Sequence, residues 1–107
     1  MKAVYLGLML AMSLACEQAV ADSQGKQVFN THCVHCHADA PNAVGTRQLR
    51  KRYRDQRAVL EQRTDLAPEY VAYVVRNGLH AMPQFTPANL SPAALEALQA
   101  YLSPASD

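Results

Sequence analysis

Cys33-Val34-His35-Cys36-His37 is the stretch on which the reading of this 107-residue chain turns. Two thiols and an imidazole stand at i, i+3 and i+4, so on a helix all three share one face. Two residues between cysteines close a very small loop, and such pairs belong more often to redox, metal or cofactor sites than to structural disulfides. A zinc site would need a fourth ligand and usually shows a second paired cluster. A thioredoxin-type C-x-x-C would need a strand–helix–strand setting, and no alternating strand pattern is visible in this sequence.

C-x-x-C-H is instead the attachment signature for c-type haem. The spacing lets two thiols reach the two vinyl groups along one edge of a porphyrin. His37 then projects past that edge and places an imidazole nitrogen under the iron. One covalently attached haem c is therefore expected, on Cys33 and Cys36, with His37 as proximal iron ligand.

Upstream of the motif, Met1-Lys2 gives a short positive start, and Ala3 to Ala15 runs without a charge. Ala19-Val20-Ala21 follows as an A-x-A site before Asp22, which predicts a secretory signal peptide over residues 1–21 and one mature domain over 22–107. A membrane-spanning helix needs about 20 apolar residues. This run stops at Glu17, so no integral membrane segment is expected in the mature chain. Ser13-Leu14-Ala15 fits a lipoprotein signal before Cys16 only loosely, which disfavours a lipid-anchored form. The expected compartment is the periplasm of a bacterium. Cleavage would remove Cys16, Met1, Met9 and Met12, leaving Met82 as the one thioether.

Downstream, helical patterns predominate. A first helix is expected from about Gln24 to Cys36, a loop over Asp39–Thr46, and one helix or two short ones between Arg47 and Gln62. Pro68 suits the first turn of a helix whose Tyr70, Val71, Val74 and Val75 form a stripe, stopped by Asn77-Gly78. Ser91-Pro92 opens a last helix with Leu95, Leu98, Tyr101 and Leu102 on one face. The expected class is all-α. Apolar residues make up 50% of the chain, charged residues only 18%, and the net charge is +1. That balance excludes a disordered tail and argues against nucleic-acid binding. A domain this small buries only about 60% of its unfolded surface and often needs a disulfide, metal or cofactor to complete its core.

With these residues in place, the chain resembles the class I c-type cytochromes over nearly all of its mature length. Gly25 and Phe29 precede the haem motif as in the family's first helix, and Leu98 and Tyr101 match the last-helix pair that crosses it. Ala81-Met82-Pro83-Gln84-Phe85 looks like the family's distal loop, where methionine is the sixth ligand. The segment from Val75 through Phe85 is similar in particular to the cytochrome subunit of p-cresol methylhydroxylase-type flavocytochromes. The resemblance implies helices packed around one haem. Gly45-Thr46 stands before Leu49 where many members carry Gly-Pro, so the family's backbone acceptor for the proximal imidazole is hard to place. Pro41 or a neighbour is the expected acceptor.

A lone methionine is ordinarily adaptable core filler. Met82 is expected instead to be the distal iron ligand, since it is the only mature thioether, precedes a proline in a loop and lies 45 residues beyond His37. His80 is the competing sixth ligand. His32 and His35 lie too close to the tether to reach over the opposite face and are expected at the surface. His/Met ligation leaves no open iron position, and no other catalytic constellation is visible, so no catalytic residues and no enzymatic activity are expected. The expected function is one-electron transfer, free or as the cytochrome subunit of a periplasmic dehydrogenase. The electron donor would be a dehydrogenase, with flavoproteins among the candidates, and the acceptor a terminal oxidase or another cytochrome. The alternative is a bis-His or open-site haem protein that binds ligands or acts as an enzyme.

One further feature is electrical. Arg47, Arg50, Lys51, Arg52, Arg54, Arg57 and Arg63 face only Asp55 and Glu61 within the same stretch. Such a run is either a solvated helix face or a surface that orients the carrier towards an acidic partner.

Overall fold

The structure, a computed structural model, describes residues 2–104, with side chains from residue 15 onward. Most of the predicted leader's apolar side chains thus lie outside the described part. Five α-helices follow one another: α1 (Lys2–His32), α2 (Val34–His37), α3 (Val44–Tyr53), α4 (Pro68–Asn77) and α5 (Pro92–Leu102). Two 3-10 turns, Asp55–Arg57 and Leu60–Gln62, connect α3 to α4. Among the described residues the only strand-like pairing is a single bridge between Leu79 and Met82. The fold is all-α and forms one small domain.

The core is organised by the crossing of α1 over α5. Phe29 is 0% and Leu98 1% exposed, and the Phe29 and Tyr101 rings lie 6.1 Å apart in a tilted contact. Such aromatic pairs add to the effect of plain apolar burial. Val71 and Val75 of α4, with Leu90, Leu95 and Leu102, complete the buried cluster. Val71 and Val75 stand one turn apart and form the buried line of α4, whereas Tyr70 is 49% exposed at its flank. Tyr101 donates a hydrogen bond to Glu61, and burial together with that bond pushes its pKa up to about 12.

Helix ends follow local chemistry. Ala67 precedes Pro68 and supplies no side-chain cap, as its methyl group requires. Gly78 ends α4 with a positive φ of 73°, where glycine carries no steric penalty. The Ser91 hydroxyl accepts the Ala94 N–H at 3.1 Å and starts α5.

Three expectations change. The first helix does not run from Gln24 unbroken to Cys36: it begins at Lys2 and ends at His32, Cys33 turns away with φ −116° and ψ −32°, and α2 restarts at Val34. The Cys33 carbonyl accepts the N–H groups of both Cys36 (3.1 Å) and His37 (2.9 Å), so one tightened turn still carries the motif. The expected loop over Asp39–Thr46 ends early, because α3 begins at Val44, where the Arg47 N–H bonds the Ala43 carbonyl. The basic stretch holds one helix that stops at Tyr53, since Arg54 adopts a φ of 62° that no helix continues.

Gly25 is the tightest point of the crossing. A Cβ there would fall inside van der Waals contact of the Ala97 carbonyl oxygen and the Tyr101 Cβ. Gly25→Ala is therefore expected to destabilise the protein by about 1–3 kcal/mol through overpacking. Equilibrium denaturation checks this, and an unchanged midpoint would mean that the helices can part without cost.

Candidate functional site

The motif lies where α1 gives way to α2, directly below the α1–α5 crossing. Cys33 is half-buried and packs against the apolar core cluster, while Cys36 is exposed. Neither is in a disulfide. Burial, reinforced by the neighbouring Cys36, raises the Cys33 pKa to about 11, so its thiol is neutral near pH 7 and unlike a redox nucleophile. Among the described residues no three His, Cys, Asp or Glu side chains are grouped as a metal cage would need, which disfavours the zinc reading.

His37 is held from the α3 side. Gly45, in the first turn of α3, stands so close that a Cβ would lie 2.7 Å from the Cys36 carbonyl oxygen and 2.8 Å from Cε1 of His37. Thr46, fully buried, fixes that approach by donating to the Ala38 carbonyl at 2.7 Å. Gly45-Thr46 thus supplies the wall against the His37 imidazole. His37 Nδ1 is buried without a hydrogen-bond partner, so the expected acceptor at Pro41 or a neighbour is not found. The ring's close neighbour is the α3 backbone at Gly45, brought there by Thr46. Burial lowers the His37 pKa and favours the neutral imidazole, the form that ligates a metal.

The loop after α4 carries the other candidates. Met82 and Leu79 exchange backbone hydrogen bonds (2.9 and 3.2 Å), leaving His80 and Ala81 at the tip of a tight turn. Only His80 of these two has a positive φ, 52°, the pattern of a type II′ turn. Its side chain is exposed. Met82 is half-buried against the same core cluster as Cys33, Val34 and Phe85. Two distant parts of the sequence thus bring Cys33 and Met82 onto one apolar surface, while His80 and His35 face solvent. His32 departs from the expected surface position: it is half-buried, its ring edge-on to Phe85 at 6.1 Å.

Arg76, in the last turn of α4, takes a place that the sequence analysis did not single out. Its Nη1 donates to the carbonyls of Phe85 (3.0 Å) and Leu90 (2.8 Å), and the Phe85 N–H donates to Val75 O at 2.8 Å. The available signal was a basic residue in the last turn of a helix that opens onto the methionine loop.

Comparison with known proteins shows the family. Residues 20–102 match the family model described as cytochrome c oxidase, cbb3-type, subunit III. The chain belongs to this family of class I c-type cytochromes. The 4-cresol dehydrogenase [hydroxylating] cytochrome c subunit of Pseudomonas putida is 34% identical over 99 residues, 90% of this chain and 75% of that protein. Cytochrome c6 of Limnospira maxima is 38% identical over 79 residues, 73% of this chain and 85% of that protein. Cytochrome c6 of a Synechococcus strain is 32% identical over 80 residues, covering 75% and 66% respectively. No solved structure matches. As a c-type cytochrome the chain carries one covalently attached haem c and serves in electron transport with redox partner proteins. Free thiols at C-x-x-C spacing, a neutral buried imidazole and a thioether on the adjoining apolar surface are a donor set that fits this group.

Proposed function

We propose that the protein is a periplasmic one-electron carrier with His37 and Met82 as axial ligands and thioether bonds to Cys33 and Cys36. The observation that supports it best is that Cys33 and Met82, distant in sequence, both pack against the same buried apolar cluster, whereas His80 is exposed. With both axial positions occupied, bound haem supplies a one-electron couple with a raised potential. The chain's own residues do the rest. Gly45 and Thr46 hold the His37 ring, the turn from Leu79 to Met82 presents the thioether, and Val34 and Phe85 add apolar surface to the same cluster. With His37 and Met82 as its ligands the iron would have no position for substrate, which is the reading of a carrier.

Export is supported by the A-x-A site and by where packing begins: residues 15–20 of α1 are exposed, whereas Ala21 is half-buried and Gly25 buried. The mass of the protein isolated from its native periplasm should correspond to a chain starting at Asp22 plus one haem. A mass retaining residues 1–21, or a diacylglycerol on Cys16, would overturn the cleavage.

Met82→Ala is expected to keep the haem, lose the sulfur-to-iron charge-transfer band of the oxidised protein and lower the potential. His80→Ala should leave both unchanged. Loss of the band in His80→Ala with its retention in Met82→Ala would assign the ligand the other way. Rapid carbon monoxide binding by the reduced wild type would favour the open-site alternative.

The partner is proposed to present an acidic face, as a dehydrogenase donor or an oxidase or cytochrome acceptor could. Asp55 holds Arg50 at 2.6 Å, and Asp65 holds Arg63 at 2.8 Å and Arg57 at 3.5 Å. The hydrogen bond from Arg63 holds the Asp65 carboxyl down at about 2. Arg47, Lys51, Arg52 and Arg54 are exposed and make no ion pair among the described residues. Unpaired charges of this kind steer encounter more than they add affinity. Electron transfer with the partner should slow as salt rises and the Debye length shrinks to about 3 Å at 1 M. Reversing Arg47 and Lys51 to Glu, one turn apart on α3, should slow it at low salt and flatten the dependence. A rate indifferent to both would make the stretch an ordinary solvated face.

A further inference from the structure

The loop that carries Met82 has little structure of its own. Between Gly78 and Ser91 its internal backbone bonds are the Leu79–Met82 pair and one helical turn in which Asn89 and Leu90 donate to the Thr86 carbonyl. Neither spans the loop. What does so is the Arg76 guanidinium, whose Nη1 donates to Phe85 O, three residues after the methionine, and to Leu90 O, at the loop's far end. Phe85 is thereby held at both backbone groups, its N–H by Val75 and its carbonyl by Arg76. Leu90, 2% exposed, anchors the second point in the core. On the other flank the Gly78 backbone lies against the Met82 carbonyl, where a Cβ would come within 2.7 Å.

These contacts have a chemical consequence, which rests on the reading of Met82 as the distal ligand. A thioether is a soft donor, and oxidised iron is the harder of the two oxidation states, so imidazole or hydroxide competes with it best there. How firmly the sulfur is kept on oxidised iron then depends on how much free energy the loop loses when it swings away. Hydrogen bonds from a charged donor are the stronger kind, and leaving half-buried carbonyls unpaired adds to the cost of opening. We propose that Arg76 is a positioning residue that closes the methionine loop through the Phe85 and Leu90 carbonyls and so keeps external ligands off the oxidised iron. The two bonds share one nitrogen, so a lysine ammonium can replace part of the effect while a neutral side chain of similar length cannot.

The test uses the intact haem protein and imidazole as the probe, titrated into the oxidised form well below the melting temperature. Arg76→Met is expected to bind imidazole about tenfold more tightly or better, the change that corresponds to one decade of loop-closure equilibrium. Its sulfur-to-iron band should weaken, and Arg76→Lys should recover part of the difference. Glu96→Gly, at an exposed interior position of α5, controls for general destabilisation: it should melt lower yet bind imidazole as the wild type does. The proposal is overturned if Arg76→Met binds imidazole like the wild type, or if Glu96→Gly gains as much as Arg76→Met. Failure of the underlying ligand reading is seen separately. A wild type without the sulfur-to-iron band, or with imidazole affinity unchanged in Met82→Ala, removes Met82 from the iron and the role of Arg76 with it.

Discussion

The close passage of α1 over α5 at Gly25 sets the positions of everything else. Because no side chain separates the backbones there, Phe29 can reach Leu98 and Tyr101 one turn further on, and the end of α1 is fixed relative to the last helix. Cys33 begins where α1 ends, so the attachment turn inherits its place from that crossing. The same cluster receives Val71 and Val75 from α4, and α4 leads directly into the loop of Met82. The attachment turn and the methionine loop are therefore referred to one packed centre. In so small a domain that centre is thin. It follows that haem is a structural partner of the helices as well as their functional cargo.

What the sequence made legible is what depends on short-range chemistry. The C-x-x-C-H spacing works within one turn of helix, and the structure keeps that turn even though it breaks the helix at Cys33. Pro68, Gly78 and Ser91-Pro92 punctuate helices through backbone preferences and capping that act over three or four residues, and each does so where expected. The Gly25–Tyr101 crossing was also readable, through the family resemblance and the glycine. Met82 and His80 are two residues apart, and their different burial, Met82 half-buried and His80 exposed, is set by a turn that the sequence does not spell out.

The misreadings share a different origin. Gly45 read as a loop glycine, yet its lack of a side chain matters because α3 stands against the His37 ring, an approach set by the bond from Thr46 to Ala38 eight residues earlier. His32 read as a surface histidine because nothing in its neighbourhood of sequence reveals Phe85, which the distal loop brings to it. Arg76 went unremarked in the sequence because its partners are carbonyls, and carbonyls leave no trace in a sequence. In each case the decisive contact joins segments that only the tertiary fold brings together.

Two kinds of cation thus coexist in this cytochrome, and their surroundings assign them different work. The guanidinium of Arg76 is half-buried and spends its donors on backbone oxygens, where bulk salt screens little. Arg47, Lys51, Arg52 and Arg54 are solvated, extended from α3 and the residue that ends it, and felt by an approaching protein only within about 8 Å at physiological ionic strength. In the roles proposed above, the first kind acts on the methionine loop through its geometry and is indifferent to which partner arrives. The second acts on encounter and has no lever on the methionine. Since α3 also carries the wall against His37, its exposed charges can change without disturbing that wall, because Gly45 and Thr46 occupy its first turn and face α2. Partner recognition is in this way separated from ligand retention, although the two depend on helices only a few residues apart from the same cofactor.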